Sequence, residues 1–355
     1  MATLLSLATL GAWLLTRLIS DRHDGSQYLS WVPSPVFLLL AALLLITAAA
    51  LAHFSRGHPD APRPAASRTR KLAWAAWLLS LAFVAIAEFH LHRYIAPVHT
   101  PAATPRLRVM FWNPVDADNF AASVATQNPD VLVVTNAPAR ADWLAIRGAM
   151  GEPTYSARYD RFTIVSRYPI LRWAGSTLGI EGAQPRPFIW RGGGYVVKDQ
   201  GQAAYVELDT TATLNQTTTL WALDLPSDFN LSRWALMRRA ASTLAAAREP
   251  AFIRTLAGLD QPQPLEHGFP TPDLIVGDFN TPRGSASLSQ VAGTMPNAYD
   301  QAGRGLAATW PRARPLVAID NAFVGPQLRA SMYKVLDLGE GHHRALVFEV
   351  VGREP

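Results

Sequence analysis

The sequence predicts an α+β domain built on two packed β-sheets with helices outside them, carried on an N-terminal transmembrane helical region. Two observations predict this. Up to about Tyr94 the chain is dominated by Leu, Ala and Trp, whereas beyond Pro97 it becomes mixed globular sequence with Asp, Arg, Thr and Gly between short apolar runs. In that second part, many short strand-like runs are separated by few helical ones, which suits two packed sheets better than a doubly wound sheet.

The 355 residues divide accordingly into a transmembrane region (1–96), a Pro-rich linker (97–105) and one globular domain (106–352). Three helices are predicted at about 3–19, 32–54 and 72–92. The second, with its run LLLAALLLITAAALA, is long enough to cross a bilayer. The third carries Trp74 and Trp77 near one end as interfacial anchors. In the first, Arg17 lies near the end, where its long side chain can snorkel. A cleaved signal peptide is the alternative there, but a basic n-region and a clear small-residue cleavage site are both missing.

Loop charge predicts the orientation. Arg56, Arg63, Arg68, Arg70 and Lys71 stand against Asp60 alone between the second and third helices, whereas Arg22 faces Asp21 and Asp24 in the first connection. The basic loop stays in the cytoplasm, so the globular domain emerges outside. Pro97, Pro101 and Pro105 make the linker stiff and extended. A net charge of +5, partly concentrated in that loop, is no nucleic-acid footprint. The chain has no cysteine, which excludes disulfides, thiol chemistry and Cys-ligated metals.

Strands are predicted at Leu107–Trp112, Asp130–Thr135, Phe162–Ser166, Tyr195–Val197, Ala204–Leu208, Thr218–Leu223, Asp273–Val276, Val317–Phe323 and Ala345–Val350. Helices are expected over Asp118–Gln127 and from a Ser232 cap through Ala247. Several strands run into polar residues that a core does not need. DLIVGDFN places Asp278 and Asn280 beyond a buried strand, with Gly277 allowing a tight turn; VAIDNAF puts Asp320 within an apolar strand; GHHRALVFEV sets His342 and His343 at a strand mouth. Singly these read equally as an Asx turn, a strand-end solubiliser and loop histidines. Asp320 differs, because a buried carboxylate demands a cationic or protonated partner.

Taken in order, FWN ending at Asn113, SRYPI at Ser166–Ile170, GDFN at Gly277–Asn280, TWP at Thr309–Pro311, Ile319-Asp320 and the terminal His343-Arg344 resemble the endonuclease/exonuclease/phosphatase superfamily, the DNase I-like fold, over about Arg106–Val351. The resemblance implies a four-layer α/β/β/α sandwich and phosphate-ester hydrolysis with a divalent metal, usually magnesium. It implies catalytic roles for Asp278, Asn280, Asp320 and His343, with Asp278 handling a proton and Asp320 orienting His343. Asn113, Asn280 and His343 would hold the phosphate, with Asn113 also near the metal.

The departures bear on the metal. Where the family has a metal-binding glutamate after the second strand, this chain has Asn136. His342 replaces an aspartate of the final motif, and Asp224 stands where a mid-domain histidine is usual. A hard cation loses most of its binding energy with its carboxylates. Three readings follow: a hydrolase whose metal site is rearranged around Asn113, Asn136, Asp224 and His342, with manganese or zinc favoured over magnesium; a domain that binds a phosphorylated or lipid ligand or a partner protein without catalysis; or a mainly structural membrane protein. The expected partners are the bilayer and a phosphate ester, either a lipid head group or nucleic acid. Trp173, Phe188 and Trp190 could meet substrate or membrane, but packing is the reading preferred for them.

Overall fold

The computed structural model describes residues 1–54, 64–115, 117, 120–137, 143–180, 185–188, 195–254 and 260–353. Arg56, Asp60 and Arg63 of the basic loop, the start of the Asp118 helix and Trp190 lie outside these residues, as does the Phe188 side chain. The chain divides into two compact units, Met1–Pro97 and Val98–Pro355.

The first unit consists of α1 (Ala2–Ile19), a short α2 (Asp24–Ser30), α3 (Ser34–Phe54) and α4 (Pro64–Phe83), which continues as a π turn over Val84–Glu88. Ala2–Ile19, Ser34–Phe54 and Ser67–Glu88 are long and apolar enough to cross a membrane. Leu10, Trp13, Phe37, Leu38, Ala41 and Val84 pack between them, while Leu39, Leu79 and many other leucines face outward. The third helix ends sooner than expected. His90 adopts a left-handed φ of 46°, and a separate short 3-10 helix takes Leu91–Tyr94. Arg17 has a partner that the sequence did not single out. Its guanidinium pairs with Glu88 at 3.0 Å and bonds Ser34 Oγ, so two charges that would each be costly among apolar helices neutralise one another.

The second unit is a sandwich. One sheet runs β14-β15-β1-β2-β4-β3 and the other β11-β10-β5-β8-β9-β12-β13, with β6-β7 a separate ribbon. The strands are β1 (Leu107–Trp112), β2 (Val131–Thr135), β3 (Tyr155–Tyr159), β4 (Phe162–Ser166), β5 (Ile170–Thr177), β6 (Pro185–Phe188), β7 (Tyr195–Lys198), β8 (Gln202–Leu208), β9 (Thr218–Asp224), β10 (Pro250–Arg254), β11 (Asp260–Pro264), β12 (Leu274–Asp278), β13 (Asp320–Val324), β14 (Leu328–Leu336) and β15 (Ala345–Gly352).

The layering follows from period-two alternation. On β1, Val109 and Phe111 face the core between the sheets together with Val206, Leu220, Val276 and Phe348. Met110 and Trp112 face the other way, onto Val124 of the helix Phe120–Gln127 and Ile146 of the helix Trp143–Met150. On the opposite side, Tyr205, Leu223 and Ile275 pack against Leu236, Met237 and Leu244 of the helix Arg233–Ala246. Ser232 caps that helix, accepting from Ala235 N at 3.4 Å. Helices therefore cover both outer faces of two stacked sheets, which is the α/β/β/α arrangement.

Two expectations need correction. β13 starts at Asp320 and not at Val317, which makes only an isolated bridge to Trp310, so Asp320 opens its strand. Gly277 makes no turn. It lies inside β12, where a Cβ would come within 2.1 Å of the Leu223 carbonyl, so glycine is what lets β9 and β12 approach. Trp173 does what is expected of it and packs, stacking on Phe252 with ring centroids 4.5 Å apart.

Candidate active site

The site lies at one end of the sandwich, and strand register builds it. Asp278 ends β12, with Asp224 of β9 opposite it in the parallel pairing and Asp320 of β13 opposite it in the antiparallel pairing. Three carboxylates thus form a row across three neighbouring strands, all buried. The facing sheet supplies partners in matching order. β15, β1, β2 and β4 are consecutive in it, and they carry His343 just before β15, Asn113 just after β1, Asn136 just after β2 and Arg161 just before β4.

The pairs meet across the gap. His343 Nδ1 lies 2.9 Å from Asp320 Oδ2, and Nε2 lies 3.8 Å from Asp278 Oδ2. Thr309 Oγ1 accepts from the backbone N–H groups of Ile319 and Asp320, fixing the strand entry. Trp112 Nε1 donates to the His343 carbonyl at 3.1 Å, fixing the other partner. Asn113 Nδ2 donates to Asp278 Oδ2 at 3.0 Å, and Asn280 N donates to its Oδ1 at 2.9 Å. The Asn280 side chain donates to the Leu225 carbonyl at 2.7 Å. At the far end, Asp224 Oδ2 accepts from Thr135 Oγ1 (3.0 Å), Asn136 Nδ2 (2.9 Å) and Arg161 Nη1 (2.8 Å). Asn136 Nδ2 also reaches Asn113 Oδ1 at 3.4 Å, which joins the two ends into one polar chain.

The turns that present these groups are bent. Asn136, Asp160 and Asn280 have φ of 53°, 44° and 44°, in the left-handed region that Asn and Asp tolerate better than other non-glycine residues. Burial raises the Asp278 carboxyl, and Asp320 and Asp224 push it the same way against the opposing pull of His343, bringing it up to about 8. For His343, burial works against the charged ring, but Asp320 and Asp278 outweigh it and raise the imidazole to about 9. Burial likewise opposes the charge on Arg161, and Asp224 outweighs it, so its direction is upward.

The Endonuclease/Exonuclease/phosphatase family profile matches residues 110–342, well over half of the chain. The chain belongs to the endonuclease/exonuclease/phosphatase family. Solved structures to which this family member is similar include an endonuclease/exonuclease/phosphatase from Beutenbergia cavernae, at 16% identity over 70% of this chain and 72% of that one, TM-score 0.43. A family protein from Bacteroides thetaiotaomicron is 13% identical over 70% and 99%, TM-score 0.47. A mannosyl-6-phosphatase from the same organism is 12% identical over 69% and 99%, TM-score 0.46. No curated protein matches the chain.

Of the residues singled out from sequence, Asn113, Asn136, Asp224, Asp278, Asn280, Asp320 and His343 come together, whereas His342 is exposed, with its carbonyl accepting from Arg312 N. The imidazole among the carboxylates is that of His343. Asp278, Asp320 and His343 each offer a ligand atom within 4.8 Å of the others and could hold a metal ion. At the Asp224 end the donors do not fit a divalent cation. The Asp224 oxygen already accepts three hydrogen bonds, one of them from a guanidinium, and the neighbours at Asn113 and Asn136 are amides. Arg161 was not singled out from the sequence. The signal for it is indirect: with an amide at Asn136 where the family has a metal-binding glutamate, a buried Asp224 needs a cation other than a metal held by that glutamate.

Proposed function

We propose that this protein is a phosphoric-ester hydrolase tethered to a membrane, with its globular unit on the extracytoplasmic side. The observation that carries the reading is the row Asp224, Asp278 and Asp320, each faced by a charged or amide partner, in a member of a phosphoesterase family. Asp278 is the general base. Its carboxylate takes a proton from water, the water oxygen forms a bond to phosphorus, the ester P–O bond breaks, and the departing oxygen is protonated from solvent. His343 is held as an imidazolium by Asp320 and stabilises the charge that develops on the non-bridging oxygens. Asn113 and Asn280 orient Asp278 and the phosphate. Buried carboxylates whose environments raise their pKa are the usual material of a general base.

Tethering beside a bilayer favours a phosphate ester at or near the membrane, a lipid head group before a nucleic acid. The test is hydrolysis by the full chain in detergent of a generic phosphomonoester, a generic phosphodiester and phospholipid vesicles, beside Asp278→Asn. Turnover by the wild type alone supports the reading, and none on any of them overturns it. A binding-only domain is the second reading, favoured by the missing carboxylate at Asn136. It gains if phosphate binds and no ester is cleaved. For topology, a reporter fused after Pro355 should be active only outside the cytoplasm. Cytoplasmic activity would reverse that assignment.

A further inference from the structure

Asp224 is 3% exposed and stands in the same row as two other buried carboxylates, a costly placement unless a cation lies beside it. Among the described residues, Arg161 supplies that cation. It sits on the tight turn between β3 and β4, and its carbonyl accepts from Asn136 N at 3.1 Å, which ties the turn to the end of β2. Nη1 lies 2.8 Å from Asp224 Oδ2 and 3.5 Å from Asp199 Oδ1. Every described side-chain bond of Arg161 leaves from Nη1. The side chain is 22% exposed. Among the described residues, Nε and Nη2 of the fork make no hydrogen bond.

We propose that the Arg161 guanidinium is the resident cation of this site, taking the part that a divalent metal plays elsewhere in the family, and that it binds phosphate oxygens through Nε and Nη2 without any metal. The proposal takes its ligand class from the phosphoesterase reading. Charge balance supports it. Relative to the family pattern, Asn136 for glutamate and His342 for aspartate each remove a negative charge, Asp224 for histidine adds one, and a guanidinium in place of a divalent ion removes one positive charge, so the sum is kept. Geometry supports it as well, because a planar fork matches two phosphate oxygens, whereas the amides of Asn113 and Asn136 offer a hard cation little.

The test is binding of inorganic phosphate to the full chain in detergent with excess chelator, followed by calorimetry and by the shift in unfolding temperature. The wild type should bind, and Arg161→Gln should weaken binding about tenfold or more. Arg161→Lys should recover part of the loss, since it returns the charge without the fork. Because Arg161→Gln leaves Asp224 without its cation, the pair Arg161→Gln with Asp224→Asn serves as the folded control, and it too should lose phosphate. Arg161→Gln with Asn136→Glu should bind phosphate only when magnesium or manganese is added. If wild-type binding vanishes in chelator and returns with a divalent ion, or if Arg161→Gln and the paired variant bind as the wild type does, the proposal is overturned. Phosphate bound in chelator with no ester cleaved keeps this proposal and removes the hydrolase reading. Ester cleavage that needs a metal does the reverse.

Discussion

The two ends of the carboxylate row meet the same physical difficulty in different ways. Asp320 and Asp224 are both buried in register with Asp278, and each faces a cation from the opposite sheet. Asp320 has the imidazole of His343 at 2.9 Å, and Asp224 has the guanidinium of Arg161 at 2.8 Å. An imidazole can gain or lose its proton near neutrality, whereas a guanidinium keeps its charge. One end can therefore change state during a reaction, and the other can only hold charge and orientation. Asp278 lies between them and borrows its raised proton affinity from burial first and from its carboxylate neighbours second.

The sharpest way to break this contrast is at its centre. Asp278→Asn should lower ester hydrolysis about a thousandfold, as expected for loss of a general base. Phosphate binding should survive, since the row then carries one charge fewer. Retained turnover would mean that the proton goes elsewhere.

Next in size is the titratable end. His343→Gln and Asp320→Asn should each lower turnover about a hundredfold while changing phosphate affinity less. They should also change the pH profile. In the wild type, rate should rise as Asp278 loses its proton through about 8 and fall as His343 loses its own through about 9. These limbs belong to the coupled pair and not to either group alone. In His343→Gln the alkaline limb should disappear. An unchanged bell would assign it to another group.

Stability should carry the same signature. Both groups hold protons to higher pH in the folded state than in the unfolded chain, so the folded chain binds more protons over that range. The contribution of His343 is complete below its ordinary value of 6.5 and is lost as pH rises through about 9. The cost of burying Asp278 grows as pH climbs from 3.8 through about 8. Both effects make stability fall with rising pH, and the fall should be shallower in Asp278→Asn. A thermal unfolding series from pH 5 to pH 9 would show this, and an equally steep fall in the variant would exclude Asp278 as its source.

The smallest expected effect is at the fixed end. Thr135→Val removes one of the three donors to the Asp224 oxygen and should cost about 1 kcal/mol of stability, with turnover within about threefold of the wild type. A loss as large as that of His343→Gln would show that this end does more than hold charge.

Much of this was legible in the sequence. The strands β1, β2, β4, β8, β9, β12 and β15 were legible because each is a short apolar run with no competing helical period. The strand β14 was missed: a bulge between Ala330 and Met332 breaks its alternation, and its exposed side carries Arg329 and Lys334. β10 and β11 are not legible, because PAFIR holds only three apolar residues in a row between Pro250 and Arg254 and DQPQP holds no apolar stripe. Of the site, Asp278 and Asn280 are legible at the end of an apolar strand and Asp320 and His343 at the mouth of one, and their roles come from the ordered resemblance to the family.

What the sequence determined by itself was local: which runs are apolar, where they stop, and which polar residues follow. Those are properties of neighbouring residues, and they suffice to place three apolar helices before a two-sheet domain, while the roles of the polar residues at its strand ends come from the ordered resemblance to the family. What only the tertiary structure decided was pairing between distant residues. That Arg17 neutralises Glu88, that Gly277 serves a close approach and not a turn, that His343 and not His342 joins the carboxylates, and that Arg161 stands against Asp224 all depend on strand order and helix contact. A buried carboxylate announces that it needs a cation, but dozens of residues of intervening chain separate it from the one it finds. Only the stacking of the two sheets brings that one within reach.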